Sequence, residues 1–312
     1  MTRINKICPI CENKLKSQGR RYRIKEIFDL WRPIKFEPEL IKKYLQISPY
    51  TQLFYCPNCD LEIYLPQLIG APDFYEELHQ KTGEQYYVGW KWDFEEALKD
   101  IKKDNSVLEI GCGPGHFLQM AKKITKDIFG TEYNAMAKNL AKQKGINIIE
   151  PKDFKNLKGK FDSVFCFHVL EHVAEPLEFI KELASWVVPG GKIGISVPNQ
   201  DGPVKYVDPC VSNMPPHHAT HWRLKTFKVV AEKLGLKIKN IVFEPLISRD
   251  IYYYSFHMIN SKISNRYIKP FLSGFIQKSL EKTFQILAKF NIKSIKIIKG
   301  QSIYILMEKQ KD

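Results

Sequence analysis

The chain has 312 residues, 44% hydrophobic and 26% charged, with a formal net charge of +14. That length buries a sizeable core and admits a main domain with appendages. The lack of an apolar run of about 18 residues excludes a membrane-spanning helix, and the charged opening MTRINKICPICENK has no apolar core of a secretory signal, so the cytoplasm is the expected compartment.

The charge is uneven. Lys and Arg outnumber Asp and Glu by 12 to 7 over residues 1–70, by 24 to 23 over 71–248 and by 12 to 4 over 249–312. A nucleic-acid footprint would place the excess on the functional core, and here it sits at the two ends. The basic C-terminal region also suits peripheral contact with an anionic membrane surface.

Seven cysteines include two C-x-x-C pairs, Cys8 with Cys11 and Cys56 with Cys59. Each pair can turn two thiolates onto one ion, and two pairs complete the four-sulfur sphere that zinc favours. Such a closed set is structural, because it leaves no position for substrate. Residues 1–70 are therefore expected to form a zinc-ribbon-like module, with strands drawn from Tyr22–Leu30 and Leu53–Leu65. Residues 71–105 read as a helical linker interrupted by aromatic residues from Tyr86 to Trp92. Those rings either fold across a ligand pocket, where their faces would suit a cationic ligand, or pack one domain on another.

From residue 106 strands alternate with helices, the pattern of a mostly parallel sheet flanked by helices, an α/β class. Strands are expected at 106–110, 127–132, 146–150, 161–167, 191–197, 236–243 and 301–308. Helices are expected near 115–124, 134–144, 175–187 and 225–234. The first strand runs into a turn punctuated by Gly111, Gly113 and Gly115 and then a helix, within VLEIGCGPGHFL (residues 107–118). Glycines there permit backbone angles and a close backbone approach that a side chain forbids. Glu132 ends the next strand, at the spacing where a carboxylate meets ribose hydroxyls. Between 249 and 298 Ile276, Leu280, Phe284 and Leu287 recur at helical spacing, so a helical, lid-like insertion is expected before the last strand.

The E-x-G-x-G-x-G run from Glu109, with Glu132 after the second strand, resembles the class I S-adenosylmethionine-dependent methyltransferases. The segment Phe167-His168-Val-Leu-Glu171-His172, the later Val-Pro-Gly-Gly and the stretch Pro215-Pro216-His217-His218 are similar to the subgroup containing the ubiquinone-biosynthesis O-methyltransferases. The resemblance implies a Rossmann-like seven-stranded sheet made by residues 106–248 and 299–312, with the seventh strand inserted antiparallel. It also implies S-adenosylmethionine as cofactor. Glu109, Gly111, Cys112, Gly113 and Gly115 would form the loop around it. Glu132 and Tyr133 would stand at the ribose, Asp153 and Phe154 would flank the adenine, and Phe167 and His168 would lie beside the methyl group.

Methyl transfer from a sulfonium needs mainly positioning and exclusion of water, so its residues leave faint sequence signals. A histidine could take a proton from a hydroxyl acceptor, with His218 as first choice, His217 second, and His168 and His172 as further candidates. His168, Glu171 and His172 could also make a metal set. The expected acceptor is a small molecule methylated at oxygen or carbon, such as a sugar, a lipid-linked intermediate or a secondary metabolite. Two other readings stay open: a methyltransferase gripping nucleic acid or protein through its zinc module and basic ends, and a non-catalytic binding module that keeps the fold.

Overall fold

The computed structural model describes residues 6–245 except 33 and 208, residues 300–311, and the single positions 257, 275, 278, 279 and 282. The insertion expected over 249–298, with its apolar stripe, lies outside the described residues apart from those five positions. No described helix is long and apolar enough to cross a membrane.

The N-terminal part carries β1 (Lys16–Arg23), α1 (Ile24–Leu30), α2 (Pro38–Ile47), β2 (Tyr50–Tyr55) and β3 (Glu62–Leu65). Seven of the nine residues of the strand expected at 22–30, Ile24 to Leu30, are therefore a helix. Ile24, Ile27 and Phe28 are buried at helical spacing on α1, and this periodicity overrides the apparent alternation of the segment. The Leu53–Leu65 stretch does supply two strands, paired antiparallel, with the second cysteine pair in the turn between them.

Next come α3 (Pro72–Thr82), α4 (Trp92–Leu98), β4 (Val107–Ile110), α5 (His116–Ala121), β5 (Ile128–Thr131), α6 (Ala135–Gln143), β6 (Asn147–Ile148), β7 (Phe161–Phe167), α7 (Pro176–Trp186), β8 (Val187–Pro198), β9 (Thr220–His221), α8 (Leu224–Lys233), β10 (Leu236–Phe243) and β11 (Ser302–Lys309). Seven strands form one sheet in the order β10-β11-β8-β7-β4-β5-β6. β8, β7, β4, β5 and β6 are parallel, and β11 slots between β8 and β10 antiparallel to both. All four residues of β4 and six of the seven in β7 are buried, as expected of central strands covered by helices on both faces. The seven-stranded sheet and its antiparallel insertion match the sequence expectation.

The second sheet has the order β1-β2-β3-β9. Its last strand comes from the methyltransferase-like part of the chain, with Glu62 opposite His221 and Ile63 opposite Thr220. The boundary read at residue 70 thus divides the sequence without dividing this sheet. Glu62, almost fully buried, fastens the junction: it receives hydrogen bonds from His221 Nδ1 at 2.9 Å and Arg223 at 2.6 Å. Burial acts to raise the Glu62 carboxyl, and the hydrogen bond and charge of His221, with Arg223, overcome it and hold the group down to about 2. Glu62→Gln should cost about 3–5 kcal/mol, the usual penalty for breaking a buried ion pair. Because folding lowers this carboxyl, its contribution is complete above its ordinary value of 4.5 and fades as the pH falls towards 2. Thermal melts of the wild type and Glu62→Gln at pH 7 and pH 3 should show the gap between them shrinking in acid.

The cysteine turns belong to the same core. Cys8, Cys56 and Cys59 are buried in one cluster with Trp222, Phe227 and Val230, and Thr226 Oγ1 donates to the Cys59 carbonyl at 2.9 Å. The N-terminal module therefore packs directly on α8.

Candidate functional site

The glycine loop joins β4 to α5 along the carboxyl edge of the sheet. Gly111, Gly113 and Gly115 have φ of +67°, +53° and +78°, a region where an added Cβ is strained. A Cβ at Gly113 would lie 2.8 Å from the Tyr87 ring. At Gly115 it would lie 2.0 Å from Ile146 Cδ1, so that glycine admits a neighbouring side chain, and the residue does not line the cavity described below. Gly115→Ala should therefore destabilise the fold by about 3 kcal/mol through backbone strain plus overpacking, seen as a lowered melting temperature.

A cavity of about 960 Å³ runs from this loop to the region after β7. At one end Glu132, directly after β5, accepts hydrogen bonds from Gly113 N at 2.8 Å and Asn134 N at 2.7 Å. Burial raises its carboxyl above the usual range, against the pull of those backbone donors. Glu109, Cys112 and Tyr133 also line the cavity. Glu109 is buried, its Oε2 has no hydrogen-bond partner, and burial pushes its carboxyl well above the usual range. Asp153 and Phe154 do not line the cavity. They sit in a turn at Pro151–Asn156, where the Phe154 ring packs 5.3 Å from Trp186.

At the other end β7 delivers Phe167 and His168. His168 adopts φ of +55°, which turns its ring between two buried carboxylates: Nε2 is 3.4 Å from Asp93 Oδ2 and Nδ1 is 3.6 Å from Glu171 Oε1. Burial and the Lys91 charge act to lower the His168 value, and the two carboxylates outweigh them and push it up to about 9. His168 is thus an imidazolium at neutral pH, and the proton-accepting role suggested for it does not suit it. Asp93, fully buried, also accepts from Ser196 Oγ at 2.5 Å. Asp93 was not among the residues expected from sequence; only its position between Trp92 and Phe94 at a helix start hints at burial.

His172, His217 and His218 close the same end. His217 and His218 stack at 4.4 Å between ring centroids, and His172 packs edge-on to both. Burial and the neighbouring His172 hold His217 down to about 3; burial, with His217, holds His218 well below the ordinary histidine range. Both rings are neutral at pH 7 but are weak proton acceptors. Tyr75, Tyr86 and Tyr87 line the cavity from the linker side, with the Tyr75 hydroxyl 2.9 Å from His172 Nδ1. The linker aromatics therefore do fold across the cavity, and Tyr86 and Tyr87 also pack on His79.

The four N-terminal cysteines come together as expected. Cys8 and Cys59 Sγ lie 3.5 Å apart, Cys11 and Cys56 Sγ 3.3 Å, and all four sulfurs lie within 4.8 Å of one another. Each knuckle ends in a left-handed residue, Glu12 and Asp60, one position after its second cysteine. The edges approach those of a zinc tetrahedron with bonds of about 2.3 Å.

A methyltransferase domain family model matches residues 84–240, half of the chain. The chain belongs to the class I S-adenosylmethionine-dependent methyltransferases. The chain is similar to the ubiquinone biosynthesis O-methyltransferase of Coxiella burnetii, 33% identical over 107 residues that cover 32% of this chain and 46% of that protein. It is also similar to the tRNA U34 carboxymethyltransferase of Actinobacillus pleuropneumoniae, 26% identical over 178 residues, 53% of this chain and 55% of that one. The chain spans about half the length of the curated relatives it matches. Among solved structures, a SAM dependent methyltransferase from Archaeoglobus fulgidus is 20% identical with a TM-score of 0.47, covering 76% of this chain and 100% of that one. The methyltransferase model begins after the cysteine module, which lies outside the matched span.

Proposed function

We propose that the protein transfers the methyl group of S-adenosylmethionine to oxygen or carbon of a small-molecule acceptor. In this reading Glu132 receives the ribose hydroxyls, the backbone at Gly111–Gly113 lies along the amino-acid part, and Phe167 stands by the methyl group. The acceptor enters from the His172–His218 end. The observation that carries the reading is the continuity of one cavity from the Glu132 and glycine-loop end to a histidine-lined end. Its interior, walled by Tyr75, Tyr86 and Tyr87, suits a compact molecule shielded from water. His168, held as a cation, orients the acceptor by charge instead of removing its proton. The four cysteines hold a structural zinc that supplies folding energy and no chemistry.

Titration calorimetry of the full chain with S-adenosylmethionine tests the cofactor assignment, and absence of any heat would remove it. A labelled-methyl screen over sugars, phenols and lipid-linked acceptors then tests the acceptor class. The tRNA-modifying relative, with the exposed basic strand Lys16–Arg23, favours a second reading in which the acceptor is RNA. Binding of a tRNA pool with a steep salt dependence would support it, and no binding at low salt would exclude it.

A further inference from the structure

We propose that the acceptor end of the cavity is a second metal site, in which His172, His217 and His218 bind one divalent first-row transition ion, distinct from the ion held by the cysteines. One ring nitrogen from each histidine lies within 4.8 Å of the other two. The hydrogen bonds then settle which nitrogen is available. His217 Nδ1 lies 2.8 Å from the Ser212 carbonyl, His218 Nδ1 lies 3.0 Å from Asn213 Oδ1, and His172 Nδ1 lies 2.5 Å from the His217 carbonyl. A carbonyl oxygen only accepts, so Nδ1 of His217 and of His218 carries the proton and Nε2 keeps a lone pair; His172 Nδ1 fits the same pattern when the Tyr75 hydroxyl, 2.9 Å from it, donates to the His217 carbonyl at 3.3 Å and accepts from the ring. This is how metal-binding imidazoles are held, with the far nitrogen tied to an oxygen that fixes the tautomer and the ring orientation.

A second, independent feature points to a cation. Glu171 is 1% exposed, and neither of its carboxylate oxygens has a hydrogen-bond partner. Its Oε1 lies 3.8 Å from His218 Nε2, so an anionic oxygen faces a nitrogen lone pair with no proton between them. The His168 imidazolium beside Glu171 is shared with Asp93, so of these two buried carboxylates one charge is left over, which costs several kcal/mol unless a further positive charge compensates it; a divalent ion held by the three histidines supplies that charge. Three imidazoles beside a carboxylate favour zinc, cobalt, iron or copper over magnesium or calcium, which prefer all-oxygen sets. Three protein ligands leave a position for an oxygen of the acceptor, and a hydroxyl bound there loses its proton more readily than in water. That last consequence rests on the acceptor reading given above; the metal site itself does not. The set differs from the one expected from sequence, because His168 is engaged between Asp93 and Glu171 and the loop pair 217–218 takes its place.

The test is a cobalt(II) titration of the full chain produced in zinc-depleted, cobalt-supplemented medium, so that the cysteine site carries cobalt, and freed of loosely bound metal, followed by optical absorption and metal analysis. Cobalt on thiolates gives intense sulfur-to-metal charge-transfer absorption, whereas cobalt on imidazoles gives only weak ligand-field bands. The wild type should take up about one equivalent beyond the cysteine site, read in the ligand-field region. His218→Ala and the milder His172→Gln should each lose that equivalent while keeping the charge-transfer signal, which also reports that the protein remains folded. The proposal is overturned if the wild type binds no second equivalent at millimolar cobalt, or if both variants bind as much as the wild type. Calorimetry with S-adenosylmethionine on the same samples separates the two ideas: cofactor binding without a second metal overturns only the metal site, and the converse overturns only the cofactor assignment.

Discussion

Glu132→Ala is expected to weaken S-adenosylmethionine binding about a thousandfold, the largest effect of any single substitution in the cavity. The carboxylate already takes the Gly113 and Asn134 amides at 2.8 and 2.7 Å, and in the proposed reading its remaining lone pairs accept from two ribose hydroxyls. Hydrogen bonds to a charged group are worth about 1.5–3 kcal/mol each, so two of them account for about three decades in affinity. Alanine also strands the Gly113 amide in a loop that must lie against the ligand. Glu132→Gln keeps one acceptor oxygen and should fall between the two, with calorimetry giving the ranking. Equal affinity for wild type and alanine variant would show that the ribose lies elsewhere.

Cys56→Ser should be the most damaging substitution for the fold. Metal analysis of wild type should give about one zinc per chain tied to the cysteines, and this variant should lose it. Apparent zinc-binding energies of about 10–16 kcal/mol in small metal-folded domains rival the whole stability of an ordinary domain, about 5–15 kcal/mol. The damage should spread, because the cysteines share a buried cluster with Trp222, Phe227 and Val230 and β3 pairs with β9. A thermal melt should therefore show one broadened, lowered transition across the molecule instead of selective loss of residues 6–70. A variant with unchanged metal content and melting temperature would refute the structural-zinc reading.

What the sequence made legible was local. The glycine loop, the strands from β4 to β8 and the paired cysteines each depend on residues a few positions apart, and their spacing carries the geometry. The helix α1 was misread because Tyr22–Leu30 satisfies strand alternation about as well as helical spacing over so short a run, and only burial of Ile24, Ile27 and Phe28 decides between them. Asp93 was missed because its meaning lies in His168 and Ser196, 75 and 103 positions later. The same holds for the pairing of Glu62 with His221, 159 positions apart. Asp153 and Phe154 show the opposite error: a motif position was carried over, and the local turn aims the ring at Trp186 instead. The histidines at 217 and 218 line the cavity, but burial depresses both, an effect of packing that their sequence context does not show.

The stretch from Asn199 to Trp222 is pinned at its two ends, by the bridge between those residues and by Gln200 N donating to the Trp222 carbonyl at 2.9 Å. Within it Asn213 alone ties Gln200, His218 and His221 together. A loop closed in this way can change length or content at little entropic cost while its feet stay fixed. If the proposed reading of the cavity holds, this loop is a cassette for exchanging acceptor preference: grafting a different 201–219 segment between the same two anchors would refashion the histidine-lined wall and leave the glycine-loop end as it is.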